Sequence, residues 1–177
     1  MDRRRFLCTL AAAAPVLALP DLAFASPVAP RVLRFAHLHT AERLVVEYMD
    51  GTRYLPDALA SVNHLLRDFR TGDEHVIDPQ LLDLLHSIQS RTNTTRPFEI
   101  ISGYRSPRTN AMLHDRSASS GVASGSLHMR GQAIDIRLGD VPLRGLRDAA
   151  LDLRRGGVGF YPSSNFVHVD TGRVRAW

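Results

Sequence analysis

The chain has 177 residues, of which 44% are hydrophobic and 23% are charged, and its formal net charge is +4. This length suffices for one domain with a hydrophobic core and is short for two. The composition is ordinary for a soluble globular protein. Because the sequence contains no module of interleaved basic and aromatic residues, we do not expect nucleic acid as a partner.

The first 25 residues have the layout of a secretory signal peptide. A basic start, Arg3–Arg5, precedes an apolar run over 6–19, and the small-x-small triplet Ala23–Ala25 follows. The apolar run is shorter than the roughly 20 residues of a transmembrane helix. The stretch "RRRFL" resembles a twin-arginine signal, with a general secretory signal as the alternative. We therefore expect residues 1–25 to direct export and residues 26–177 to form a periplasmic domain without a membrane span.

The single cysteine, Cys8, lies inside this signal peptide. The exported domain would therefore contain no disulfide. Any metal site in it must be built from histidines and carboxylates.

The exported part alternates between strand and helix patterns. In chain order we expect strands over 31–40 and 42–55 with a turn at Asp50–Gly51, helices over 56–70 and 79–92, a strand over 97–104, a helix over 107–116, a loop over 115–127, a strand over 132–138, a helix over 142–155, and strands over 156–162, 166–172 and 173–177. These elements predict an α+β fold with a mostly antiparallel sheet and helices on one face. We expect the terminal Trp177 to have a packing role.

Two candidate metal ligands, His128 and Asp135, lie seven residues apart across Gly131. On one helix this spacing would separate them by about 10 Å, too far to share an ion with bonds of about 2 Å. The alternation in "QAIDIRL" instead predicts a strand that is entered from a loop at Gly131. On that strand Ile134 and Ile136 face the core, and Asp135 faces the other side, where a loop histidine can fold back over it.

The strand "FVHVDTG" supplies a third candidate ligand. His168 and Asp170 are two residues apart, so their side chains share one strand face. With His128 and Asp135, His168 gives two histidines and one carboxylate, which leaves a fourth position to water, as in catalytic zinc sites. Spacing alone leaves two alternatives open: the histidines are ordinary hydrogen-bonded residues, and Asp135 is a turn or salt-bridge residue.

Three ordered motifs resemble one enzyme superfamily over about residues 30–177. "SLHMRGQAID" is similar to the Ser-x-His-x-x-Gly-x-Ala-x-Asp motif of the D-Ala-D-Ala zinc metallopeptidase superfamily, which includes the hedgehog fold. "IISGYRSPRTN" resembles the strand-and-arginine motif upstream of it. "GGVGFYPSSNFVHVDTGRVRAW" resembles the ending of the YcbK-like murein endopeptidase branch. The resemblance implies the hedgehog/D-Ala-D-Ala peptidase fold for the domain.

Carried over residue by residue, the resemblance implies that His128, Asp135 and His168 bind Zn²⁺. Ser126 corresponds to a serine that touches the substrate, and Arg105 corresponds to an arginine that faces the substrate carbonyl. A guanidinium there, which is always charged, would stabilise the oxyanion that develops as water adds. A structural salt bridge is the alternative role for Arg105.

The general base is the point at which this chain departs from many relatives. They carry Glu or Asp three residues before the last histidine, where this chain has Asn165, which cannot take a proton. In the YcbK-like branch an aspartate follows the histidine instead, as in "HVD". We therefore expect Asp170 to be the base, or else a partner that orients His168.

The resemblance as a whole implies a zinc-dependent metallopeptidase whose partner is peptidoglycan. Its expected activity is hydrolysis of peptide bonds in stem peptides or crosslinks, that of a murein endopeptidase. One alternative is a D,D- or L,D-carboxypeptidase that trims stem-peptide ends. The other is a non-catalytic, zinc-containing cell-wall binding module, which Asn165 makes credible.

Overall fold

The computed structural model describes residues 29–115 and 125–177. The expected signal peptide and most of the expected loop over 115–127 lie outside the described residues. Within the described ranges the chain is α+β, with an eight-stranded sheet and four α-helices. None of the helices in these ranges is long and apolar enough to cross a membrane.

The expected strands and helices are present in the expected order. The strands are β1 (Arg31–His37), β2 (Arg43–Asp50), β3 (Arg53–Tyr54), β4 (Phe98–Ser102), β5 (Ala133–Leu138), β6 (Gly157–Tyr161), β7 (Phe166–Asp170) and β8 (Arg175–Ala176). The helices are α1 (Pro56–Leu65), α2 (Pro79–Thr92), α3 (Pro107–Asp115) and α4 (Leu143–Leu153). Two short 3-10 helices, Leu127–Arg130 and Pro162–Ser164, are additions that the sequence did not predict.

The sheet has the strand order β3-β2-β1-β4-β5-β7-β6-β8. The pairs β1/β4 and β6/β8 are parallel, and the other neighbouring pairs are antiparallel. The α+β prediction is therefore confirmed, and the sheet is mixed, with both parallel and antiparallel pairs. That the helices share one face of this sheet stays a prediction.

The core forms between alternate strand residues and the apolar side of the helices. Ile134 and Ile136 of β5 are fully buried in it, as the alternation of this strand predicts. Helix α2 adds several leucines and begins at Pro79, where the Asp78 carboxylate accepts a hydrogen bond from the Gln80 N–H at 2.9 Å. These contacts fix the strands that carry the polar residues described below.

Helix α1 ends at Leu65, five residues before the end expected from its apolar spacing. The reason is a tertiary contact with the segment that follows β4. The Leu66 carbonyl accepts a hydrogen bond from the Tyr104 N–H at 2.7 Å. Gly103 packs so closely that a Cβ on it would lie 2.6 Å from the Leu66 oxygen. The chain therefore leaves the helix to support the segment after β4.

Candidate metal centre

Four neighbouring strands place a row of residues across one face of the sheet. The register pairs Ser102 with Asp135, Asp135 with His168, and His168 with Gly159. Because paired residues of adjacent strands project to the same face, the Asp135 and His168 side chains stand next to each other. Gly159 has no side chain, and the rings of Trp177 and Tyr161 occupy the space at this position of the row.

The short 3-10 helix Leu127–Arg130 brings His128 over this row. The Ser126 hydroxyl oxygen accepts a hydrogen bond from the His128 N–H at 3.4 Å at the start of the helix. Gly131 ends it with φ +65°, in the left-handed region that favours glycine. A Cβ on Gly131 would overlap the carbonyl oxygen of Val76, so close backbone packing also requires glycine there.

Three potential ligand atoms converge: Nε2 of His128, Oδ1 of Asp135 and Nδ1 of His168. The two nitrogens are 3.1 Å apart, and Asp135 Oδ1 lies 2.9 Å from the His168 nitrogen and 3.3 Å from the His128 nitrogen. The exposed fractions of the three residues are 2%, 5% and 8%. In the described part of the chain, His128, Asp135 and His168 form the group of histidine and carboxylate side chains that could hold a metal ion.

Hydrogen bonds on the outer side of each ring determine where the imidazole protons lie. His128 Nδ1 donates to the Gly103 carbonyl oxygen at 2.7 Å, and His168 Nε2 donates to the Asp170 carboxylate at 3.1 Å. A neutral imidazole carries one N–H, so both inward nitrogens present a lone pair. Outer partners of this kind orient metal-binding histidines in proteins.

The cluster fits a tetrahedral metal ion. Two lone pairs and a carboxylate oxygen that face one another at 2.9–3.3 Å repel unless a cation or a proton lies between them. Bonds of about 2.0 Å to a tetrahedral ion place its ligand atoms about 3.3 Å apart, close to these separations. His128, Asp135 and His168 could therefore supply three ligands and leave one coordination position open.

The charges in the cluster stabilise one another. Burial would raise the pKa of Asp135, but the charges and hydrogen bonds of His128 and His168 outweigh burial and hold this pKa well below its usual range. Burial would lower the pKa of His168, but hydrogen bonds to Asp135 and Asp170 outweigh it and raise the pKa. A proton on His168 and a metal ion therefore compete for the same lone pair, so that metal affinity falls in acid.

Asp170 lies behind His168 and is fully buried. Its Oδ1 accepts hydrogen bonds from the N–H groups of Gly157 and Gly172, both at 2.9 Å, and its Oδ2 accepts one from Arg175 at 2.7 Å. Burial would raise its pKa, but the hydrogen bonds from His168, Arg175 and the two amides hold it well below its usual range. This geometry favours the second of the two expected roles for Asp170, the orientation of His168.

Arg105 lies on the other side of the cluster and is buried. Its backbone N–H donates to the His128 carbonyl at 3.2 Å, and its guanidinium lies 3.5 Å from Asp135 Oδ2. Burial lowers the pKa of Arg105, and the charges of Asp135 and Asp68 oppose that effect. Within the described residues its Nε has no hydrogen-bond partner. Asp68 also anchors the next residue, Ser106, through its backbone N–H and its hydroxyl at 2.9 and 2.7 Å.

Asn165 is an exposed turn residue. It follows the 3-10 helix Pro162–Ser164, donates its backbone N–H to the Pro162 carbonyl at 3.2 Å and has φ +54°. Asparagine tolerates this left-handed conformation better than most residues. The residue type at this position therefore has a backbone explanation, independent of any role in proton transfer.

An aromatic pair, Tyr161 and Trp177, lies beside the cluster and was not predicted as part of the site. Trp177, expected to have a packing role, is 50% exposed, and its ring centre lies 5.3 Å from that of His168. Its Nε1 donates a hydrogen bond to the Tyr161 hydroxyl at 2.7 Å. Strand β8 lies within the strand expected over 173–177, but it has only two residues, too few for an alternation that would show which side chain faces the metal centre.

A buried His–Asp–His cluster with an open coordination position and an adjacent guanidinium is the donor set of mononuclear metallohydrolases. Comparison with protein families gives the particular class. The model of the Peptidase M15_2 family, described as "Peptidoglycan L,D-endopeptidase MepK", matches residues 25–177. The chain belongs to this family, and the predicted resemblance is thereby confirmed.

Curated relatives agree with this assignment. The chain is 44% identical over 178 residues to "Peptidoglycan L,D-endopeptidase MepK" of Escherichia coli (strain K12), an alignment that covers 99% of this chain and 97% of that protein. It is 42% identical over 179 residues to "Probable peptidoglycan L,D-endopeptidase MepK" of Haemophilus influenzae, with 99% and 95% covered.

Proposed function

We propose that this protein is an exported, zinc-dependent murein endopeptidase that hydrolyses peptide bonds in peptidoglycan crosslinks. The observation that carries the proposal is the buried convergence of three lone-pair donors, His128, Asp135 and His168, with both imidazoles oriented from outside. Membership of a family described as peptidoglycan L,D-endopeptidase supports the substrate. The names of the relatives favour crosslinks over stem-peptide ends, and thus favour an endopeptidase over a carboxypeptidase.

His128 Nε2, Asp135 Oδ1 and His168 Nδ1 would hold the Zn²⁺. Bound there, zinc would lower the pKa of a coordinated water toward neutrality and polarise the scissile carbonyl. Arg105 would stabilise the negative charge that develops on that carbonyl oxygen, since its guanidinium is buried beside Asp135 and keeps its charge. The Ser126 hydroxyl, whose oxygen accepts from the His128 N–H, keeps its own proton to donate to the substrate.

In this proposal Asp170 orients His168 and does not act as the base. Its hydrogen bond to Nε2 keeps the proton on the outer side of the ring and leaves Nδ1 free for the metal. The two backbone amides and Arg175 occupy the remaining acceptor sites of the carboxylate. The binding-module alternative rested on the lack of a proton acceptor at position 165. The turn conformation of Asn165 explains its residue type, and the assay below decides between that alternative and a peptidase.

The test is to incubate the mature, zinc-loaded protein with muropeptide dimers that carry either an L,D- or a D,D-crosslink and to identify products by mass spectrometry. We expect conversion of the L,D-crosslinked dimer to monomers, abolition by a chelator, and recovery on addition of zinc. Shortened stem peptides with the crosslink intact would instead indicate a carboxypeptidase. Binding without any product would indicate a binding module.

We also propose that residues 1–25 are a signal peptide of the twin-arginine type. The proposal is supported by the basic start, the apolar run and the small-x-small triplet of this segment. Replacement of both Arg3 and Arg4 by lysine should leave the protein unprocessed inside the cell, as followed by fractionation and immunoblotting. Normal processing of that variant would favour a general secretory signal.

A further inference from the structure

The edge of the sheet next to the metal centre carries the aromatic pair Tyr161 and Trp177. The Trp177 backbone is fixed to β6, because its N–H donates to the Val158 carbonyl at 3.2 Å and its carbonyl accepts from the Phe160 N–H at 3.0 Å. Gly159 forms the floor below both rings. A Cβ there would lie 2.7 Å from Trp177 Cε2 and 2.8 Å from Tyr161 Cε2. The absence of a side chain at Gly159, opposite His168 in the register, therefore lets two rings stand beside the metal ligand.

The Tyr161 hydroxyl accepts a hydrogen bond from its neighbour, and its own proton remains available for donation. Its oxygen accepts the Trp177 Nε1–H at 2.7 Å, and its ring stacks on Phe166 with centres 4.6 Å apart. Among the described residues, none accepts a hydrogen bond from the Tyr161 O–H. The charge of Tyr161 is one of those that oppose the lowering of the Arg105 pKa by burial.

Trp177 is exposed to solvent, whereas a residue with only a packing role would be buried. Half of its surface faces solvent, although it lies 5.3 Å from the buried His168 ring. The Arg175 guanidinium lies 4.7 Å from its ring centre and also binds Asp170, so the indole is connected to the carboxylate behind His168. An apolar surface held rigidly beside a metal centre is suited to bind the aliphatic part of a ligand.

We propose that Tyr161 and Trp177 form the substrate-binding wall next to the scissile bond. An aliphatic side chain of the stem peptide packs on the exposed face of Trp177, and the Tyr161 O–H donates a hydrogen bond to a carbonyl oxygen of the peptide. The inference rests on the proposed peptidase function and adds to it the residues that hold the peptide.

Trp177 is the one tryptophan of the chain, so its fluorescence reports on this wall directly. Zinc-loaded enzyme is mixed with L,D-crosslinked muropeptide dimer in a stopped-flow instrument. We expect a saturable change in tryptophan emission that precedes cleavage and gives a dissociation constant. This measurement is separate from turnover.

Tyr161→Phe removes the hydroxyl and keeps the stack on Phe166. It should weaken binding in the stopped-flow assay, and raise KM, by about tenfold, the upper worth of one neutral hydrogen bond. Trp177→Ala should raise KM by about 10–30-fold through loss of apolar contact. Zinc affinity, measured by chelator competition, should stay within about threefold of wild type in both. Tyr54→Phe is the matched control, since it also loses a bonded hydroxyl but lies on β3 at the opposite edge of the sheet.

The proposed wall is wrong, and the peptidase function intact, if the tryptophan emission of wild-type enzyme does not change on binding the dimer and the KM of Tyr161→Phe and of Trp177→Ala equals that of wild type. A large loss of zinc affinity in either variant would also overturn it, because the rings would then support the metal centre rather than the substrate. If wild-type enzyme neither binds nor cleaves the dimer, it is the proposed function that fails.

Discussion

Replacing Asp170 by asparagine separates the two roles that the sequence allows for this residue. Asparagine has nearly the same shape, but one carboxylate oxygen becomes an NH₂ group. Every partner of the Asp170 carboxylate is a donor: the N–H groups of Gly157 and Gly172, the Arg175 guanidinium and His168 Nε2–H. Wherever the NH₂ group points, a donor therefore faces a donor. Turned toward His168, it pushes the ring proton to Nδ1, the atom that faces the metal.

The expected losses follow from these contacts. Each buried donor left without an acceptor costs about 1–3 kcal/mol. Because the Arg175 side chain is 31% exposed and water can solvate it, we expect the total to be about 3 kcal/mol of unfolding free energy. Zinc affinity should fall about 10–100-fold, as for other outer partners of metal-binding histidines. At saturating zinc, turnover should return to within about tenfold of wild type.

Three measurements test this: urea denaturation for stability, chelator competition for zinc affinity, and cleavage of muropeptide dimers at increasing zinc concentration. Asp152→Asn is the control, since that carboxylate is exposed and pairs with Arg91 at the surface. The orienting role is refuted if Asp170→Asn binds zinc normally and turnover falls by about 10²–10⁴, the worth of a positioned general base.

Three further predictions test the metal centre and its support. His168→Ala should lose the bound zinc in metal analysis, whereas His114→Ala, at an exposed helix end, should retain one zinc per chain. Burial lowers the pKa of His37 from the ordinary histidine value of about 6.5 to about 4, so the unfolded state binds more protons below pH 6.5 and stability falls between about pH 6.5 and 4. Between pH 7 and 5 the unfolding free energy of His37→Asn, measured by urea denaturation, should fall by about 2 kcal/mol less than that of wild type. Equal falls in the two proteins would contradict this prediction. Gly131→Ala and Gly72→Ala each place alanine at positive φ, at a cost of about 1 kcal/mol, but only at Gly131 would the new Cβ overlap backbone. Gly131→Ala should therefore lower Tm more than Gly72→Ala does and should also weaken zinc binding. Equal decreases in Tm for the two variants would show that the backbone contact at Gly131 has no effect.

Local patterns predicted the strands that carry the cluster. The alternation around Asp135 and the two-residue spacing of His168 and Asp170 depend only on the geometry of a strand, and the structure places these side chains accordingly. His128 was a candidate from its spacing to Asp135 across Gly131, and the family motif supported it. Its position depends on the turn at Gly131.

Features that depend on distant contacts could not be predicted in this way. Helix α1 has apolar residues at helical spacing up to Phe69, but it ends at Leu65 because Tyr104 binds the Leu66 carbonyl. The role of Asp170 depends on Arg175 and on the backbone amides of Gly157 in β6 and Gly172 after β7. The spacing around "HVD" does not indicate any of these contacts.

The early end of α1 and the orientation of His128 are parts of one feature. Gly103 accepts the His128 Nδ1–H at 2.7 Å, and this hydrogen bond leaves Nε2 free for a metal. Gly103 can hold its carbonyl there because it packs directly on Leu66, where a Cβ would lie 2.6 Å from the Leu66 oxygen. If α1 continued beyond Leu66, that carbonyl would accept a bond within the helix instead of the Tyr104 N–H. A segment more than 60 residues before His128 in the sequence therefore helps to set which nitrogen of that ring faces the metal centre.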